Sequence, residues 1–146
     1  MDQDMRRSII LDHYQNPYHR VRHDGDSHYQ KINSRNVSCI DNIDLYIKMN
    51  KDKIEEITFD GEACSISISS TSIMGELLEG HTIDEAIHLI ENYGNMIEEK
   101  EYDRELLKDA IVYEGIAKQP SRKKCATLSW NGLYQKLMEL KEKSEV

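Results

Sequence analysis

Residues 43–62 read IDLYIKMNKDKIEEITFDGE, and this stretch decides the fold. Ile43, Leu45, Ile47 and Met49 alternate with Asp44, Tyr46, Lys48 and Asn50, a period of two that puts one apolar row on one face of a strand. Asn50 to Lys53 make a turn, after which Ile57 and Phe59 continue the alternation as far as Asp60-Gly61. Ala63 to Ser69 alternates again through Ile66 and Ile68, so the sequence predicts three strands in hairpin succession. Cys64 then begins the third strand on the face of Ile66 and Ile68, a position that suits either core burial or a ligand at the sheet rim.

Working outward, the period changes to that of a helix on both sides. Met5, Ile9 and Ile10 share a helical face over residues 4–15, and Asn16-Pro17 stops it, since proline restricts the residue before it. His19 to Asn36 is polar and without periodicity and reads as a loop. After Ser69-Ser70-Thr71, Ile73, Met74, Leu77 and Leu78 fall on one helical face that ends at Gly80. Thr82-x-x-Glu85 is a capping box opening a helix with Ile83, Ala86, Ile87 and Ile90. A weaker helical pattern runs through Leu106, Leu107, Ala110 and Ile111, and Trp130, Leu133, Tyr134 and Leu137 mark an amphipathic C-terminal helix. The prediction is an α+β fold: an N-terminal helix, a three-stranded antiparallel sheet, then helices packed on one face. No repeat or linker divides the chain, so residues 1–146 read as one domain.

Composition narrows the functional classes. With 27 acidic against 19 basic residues the formal net charge is -8, which argues against nucleic acid or an anionic membrane as the main partner and for a basic protein surface. The apolar run Ser8 to Leu11 is too short for a signal peptide, and nothing approaches the ~18 apolar residues of a membrane span. A cytoplasmic protein is expected. Its 3 cysteines, an odd number in a reducing compartment, fit a metal site or a reactive thiol better than a disulfide framework.

Those cysteines, Cys39, Cys64 and Cys125, are far apart in the chain, and none lies in a Cys-x-x-Cys pair. Cys39 opens a Cys-x-Asp triplet with Asp41, so three thiols and a carboxylate are available to fill a tetrahedral zinc shell. Three unrelated buried thiols and a solvated loop aspartate would leave the same trace in sequence, because free cysteine behaves as a small hydrophobe. Arg122 and Lys124 flank Cys125, either as a solvated basic helix start or as cations that steady an anionic persulfide or dock a partner. His19, His23 and His28 lie in the polar loop, where they read as surface residues or, alternatively, as metal ligands; His13 and His81 read as surface or capping and His88 as structural.

Five segments in order carry a family resemblance: Leu11-Asp12-His13-Tyr14-x-Asn16-Pro17, Cys39-x-Asp41, Gly61-x-x-Cys64-Ser65-Ile66-Ser67, Thr82-Ile83-x-Glu85-Ala86 and Arg122-x-x-Cys125-Ala126-x-Leu128-x-Trp130. Over roughly residues 5–140 the chain resembles the IscU/NifU-like family, which builds iron-sulfur clusters, and the resemblance implies a SufE/NifU-like fold. Within the family it is similar to the SufU branch, because Lys124 stands where scaffold-type members carry histidine and the stretch Glu98 to Ser121 resembles the SufU insertion. The resemblance implies zinc held by Cys39, Asp41, Cys64 and Cys125, and Cys39 as the thiol that accepts persulfide sulfur from the cysteine desulfurase SufS for downstream Suf cluster-assembly proteins. That would make the chain a sulfurtransferase-type partner of a desulfurase.

Two other readings stay open. The same thiolates suit an iron-binding scaffold on which a [2Fe-2S] cluster is assembled, and zinc could serve only to secure the fold. The chain also departs from the family at Ile40, where glycine is usual, at Asn42, where arginine is common, and at Val37, where proline is frequent. A β-branched residue resists positive φ, so the loop around the metal is expected to differ in geometry.

Overall fold

The computed structural model describes residues 1–36 and 40–144. Val37 and Cys39 lie outside the described residues. The chain runs helix α1 (Gln3–Gln15), strands β1 (Tyr29–Arg35), β2 (Asn42–Asn50) and β3 (Lys53–Glu62), helices α2 (Ser65–Leu78), α3 (Ile83–Ile97) and α4 (Arg104–Leu107), 3₁₀ turns over Lys108–Tyr113 and Ile116–Lys118, and helix α5 (Pro120–Ser144). The predicted class holds: a helix, an antiparallel sheet in the order β1-β2-β3, then helices.

One observed strand lies where no alternation was read, and one predicted strand is absent. The first is Tyr29–Arg35, inside the stretch read as a loop, and it pairs Ile32 with Leu45 and Arg35 with Asn42. Ala63 to Ser69 is not a strand, for helix α2 begins at Ser65 with Cys64 as its extended N-cap (φ -68, ψ 166). The alternation misled because it assumes that hydroxyls face water. Here Ser67, Ser69, Ser70, Thr71 and Ser72 are buried, and Ser69 and Thr71 donate back to the carbonyls of Ser65 and Ser67 at 2.8 and 2.7 Å. Such i−4 bonds satisfy a hydroxyl inside a helix, so α2 can be buried almost all round.

The β2–β3 hairpin matches the sequence reading. Leu45 faces Phe59 and Ile47 faces Ile57, the turn passes through Lys51 at φ 58, and the register slips between Lys48 and Met49. The outer edge of β3 is covered: Phe59 N–H donates to the His19 carbonyl at 3.2 Å and Ile54 N–H to that of His81 at 2.8 Å, which blunts an edge otherwise open to pairing. Tyr46, on the face opposite Leu45, is buried beneath the 20–29 segment, where its hydroxyl donates to Asp24 and His23 stacks on Tyr29 at 3.8 Å.

Helix α2 is the central strut. Its Ser70 hydroxyl donates to the Ala126 carbonyl at 2.7 Å and accepts from Trp130 Nε1 at 2.9 Å, and Tyr93 of α3 stacks face to face on Trp130 at 3.7 Å. On its other side His13 Nδ1 lies 2.8 Å from the Ser72 hydroxyl, which ties α1 down. Met5 of α1, read as core-facing, is 53% exposed; Ile9 and Ile10 are the residues that pack inward. Helix α3 has the predicted capping box, with Glu85 N–H on the Thr82 hydroxyl and Thr82 N–H on the Glu85 carboxylate. Pro120 opens α5, where its missing N–H costs nothing.

Gly61 fixes how closely β3 passes the start of β2. Its φ is +149, and a Cβ there would lie 2.2 Å from the Asn42 carbonyl oxygen. Gly61→Ala therefore combines backbone strain with a clash, and we expect a loss of about 2 kcal/mol or more in urea denaturation, against no loss at Gly94→Ala, which lies in α3 with open space for a Cβ.

Candidate metal and sulfur site

Three segments meet at one end of the sheet: the residue before β2, the residue before α2, and the second turn of α5. They bring Asp41, Cys64 and Cys125 together so that one ligand atom from each lies within 4.8 Å of the others. Tetrahedral thiolate ligands at about 2.3 Å from zinc sit somewhat under 4 Å apart, so a small contraction closes the shell. Among the described residues this is the only such group, and no histidine belongs to it. His19 instead contacts Glu79, His28 contacts Asp26 and His23 stacks on Tyr29. Cys39, the remaining predicted ligand, lies outside the described residues.

Asp41 is not the solvated loop residue that its type suggests, for it is 0% exposed. Its Oδ1 accepts the Cys64 N–H at 2.8 Å and its Oδ2 the Ser67 hydroxyl at 2.5 Å, with Cys64 Sγ 3.8 Å from Oδ2. The carboxylate thus caps α2, which has no side-chain cap of its own at Cys64, and its charge sits at the positive end of the helix dipole. Cys64 and Cys125 are both half-buried free thiols. Burial, followed by hydrogen bonding to Asp41 and Cys64, pushes the Cys125 thiol far above the ordinary cysteine range. A buried carboxylate beside a thiol held protonated is the donor set of a cation site: a divalent ion would replace the thiol proton and neutralise the carboxylate.

The thiols open on a cleft of 410 Å³ whose lining includes Asn36, Ile66, Arg122 and Lys124 with Cys64 and Cys125. Both cations singled out in the sequence therefore face the same space as the thiols. Ile40, beside the cleft in sequence, is 72% exposed. The residue that sequence reasoning passed over is Ser67. It appeared only within an alternating run and a family segment, with no role of its own, and its signal, a hydroxyl three residues after a cysteine, has meaning only once that run is helical.

These features define a class of protein. Residues 5–139 match the model of the NifU-like N terminal domain, and the chain belongs to that family of iron-sulfur cluster assembly proteins. It is 38% identical over 129 residues to the zinc-dependent sulfurtransferase SufU of Bacillus subtilis, a match that covers 87% of this chain and 85% of the relative. It is 35% identical to the iron-sulfur cluster assembly scaffold protein IscU of Streptococcus pyogenes, over 88% of this chain and 79% of the relative. The crystal structure of FiSufU from Fervidobacterium islandicum superposes with a TM-score of 0.77 at 31% identity, covering 86% of this chain and 90% of that one. No helix among the described residues is long and apolar enough to cross a membrane.

The raised thiol has a direct test. In zinc-free protein at pH 8, alkylation of Cys125 by iodoacetamide, followed by mass spectrometry, should run at least about tenfold slower than in the urea-unfolded chain. The difference should persist as the pH rises past the ordinary thiol range, since a raised folded-state value delays thiolate formation.

Proposed function

We propose that the protein is a zinc-dependent sulfur acceptor and carrier in iron-sulfur cluster assembly, taking persulfide sulfur from the cysteine desulfurase SufS for downstream Suf proteins in the cytoplasm. The convergence of Asp41, Cys64 and Cys125 at a cleft carries this reading, and the name of the B. subtilis relative supports it. These three residues, with Cys39 as the fourth, would hold zinc, which when bound keeps its thiolate ligands deprotonated at neutral pH.

Cys39 is the thiol assigned to sulfur acceptance. Its thiolate attacks the outer sulfur of the desulfurase persulfide, a sulfur–sulfur bond forms to Cys39, the original one breaks, and the desulfurase cysteine leaves as thiolate and takes up a proton. Arg122 and Lys124 line the cleft with positive charge, which favours the anionic persulfide and its approach. Ser67 and the Cys64 N–H hold the Asp41 carboxylate in place beside the thiols.

A second reading, a scaffold for a [2Fe-2S] cluster on the same residues, is favoured by the likeness to the S. pyogenes scaffold protein, because thiolates also suit iron. Anaerobic purification separates the two. A colourless protein with one zinc per chain, which raises SufS turnover severalfold and loses that effect in Cys39→Ala, is the expected result. A coloured, iron-containing protein, or a Cys39→Ala variant that still accepts sulfur and stimulates SufS, would replace this reading.

A further inference from the structure

We propose that Ser67 is a positioning residue of the metal centre, whose hydroxyl fixes which oxygen of Asp41 faces the thiols. The inference rests on reading the cluster as a zinc site. Ser67 is 1% exposed and stands one helical turn after Cys64, on the same face of α2. Its hydroxyl reaches all three site residues: Asp41 Oδ2 at 2.5 Å, the Cys125 carbonyl at 3.1 Å and Cys64 Sγ at 3.7 Å.

A hydroxyl has one proton to donate, and the shorter contact gives it to Asp41. With Cys64 N–H on Oδ1 and Ser67 on Oδ2, both ends of the carboxylate are held and its plane cannot turn about Cβ–Cγ. Oδ2 is then the oxygen presented to the thiols, 3.8 Å from Cys64 Sγ. The Cys125 carbonyl is the second acceptor within reach, so the hydroxyl can release Oδ2 to a cation by a rotation about Cβ–Oγ and stay paired. A buried hydroxyl with both acceptors in place loses nothing in that exchange, whereas an alanine takes the hydroxyl donor from Oδ2 and leaves the carboxylate less firmly oriented.

The mutational arms are Ser67→Ala, Ser67→Thr, which keeps the hydroxyl, and Ser69→Ala, which removes a buried hydroxyl of the same helix bonded to Tyr113. Zinc affinity is measured by competition with a chromophoric chelator, the ligand field by the absorption of the cobalt-loaded proteins, and the fold by circular dichroism of the zinc-free ones. Ser67→Ala should bind zinc about 10–100-fold more weakly and shift the cobalt bands, while Ser67→Thr and Ser69→Ala stay within about threefold of wild type. An unchanged affinity and cobalt spectrum in Ser67→Ala would overturn the assignment, as would equal weakening in Ser69→Ala, which would mark general loosening of α2. A wild-type chain that takes up no zinc would remove the zinc reading itself, an outcome separate from an inert Ser67.

Discussion

The carboxylate of Asp41, fully buried at the meeting point of β2, α2 and α5, is the constraint on which the arrangement depends. An ionised carboxylate without partners inside a protein costs several kcal/mol, so the chain around it has to supply donors or a cation. It supplies the amide of the N-cap residue of α2, a hydroxyl one turn further on, and two thiols within ligand reach. Each comes from a segment whose placement has a separate cause. Gly61 lets β3 run tight against the start of β2, the N-cap geometry of Cys64 turns the chain into α2, and Pro120 starts α5 just early enough to bring Cys125 into its second turn.

Behind the thiols the structure is stiff, and in front of them it is open. The Tyr93–Trp130 stack, the Ser70 and Tyr93 hydroxyls on the Ala126 carbonyl and the Thr71–Ser129 pair lock α2, α3 and α5 together within about one and a half turns of Cys125. Hydroxyls rather than larger apolar groups fill this seam, which allows a close helix approach and leaves few ways to repack it. The Glu98 to Ser121 stretch is anchored from the side: Glu114 accepts from Arg6 of α1 and from Arg104 at the start of α4. Two thiols set on such a frame keep their spacing while their faces stay accessible to a partner.

How much of this was readable in the sequence depended on where water was. The β2–β3 hairpin and the capped α3 were legible because their polar faces meet solvent, so that period and burial coincide. Strand β1 was not, since Gln30, Asn33 and Ser34 alternate with no clear apolar row and Tyr29 and Ile32 are its only large apolar residues. The start of α2 was misread for the opposite reason: its serines are inside, and no pattern of hydrophobicity marks a hydroxyl that will be bonded to its own helix. At the site, the thiols were legible by residue type and ordered context. The burial of Asp41 was hidden, because an aspartate between Ile40 and Asn42 carries no local sign of the helix end it will cap.

Charge links the site to the surface. If zinc is held as proposed, four anionic ligands around a divalent ion would leave an excess of negative charge at the cleft, and adding a persulfide would increase it. A chain that is already net acidic has to offset that locally if it is to receive an anion, and the cations available are Arg122 and Lys124 in the cleft wall. Lysine at position 124 suits this task where histidine would not, since an imidazole is largely uncharged at neutral pH and offers its lone pair to a metal, while an ammonium supplies a fixed positive charge and no ligand. The residue that distinguishes a metal ligand from a counter-charge therefore sits next to Cys125 in sequence, and under the proposed function it would let the anion arriving at the thiols be stabilised by the wall rather than by an additional ligand.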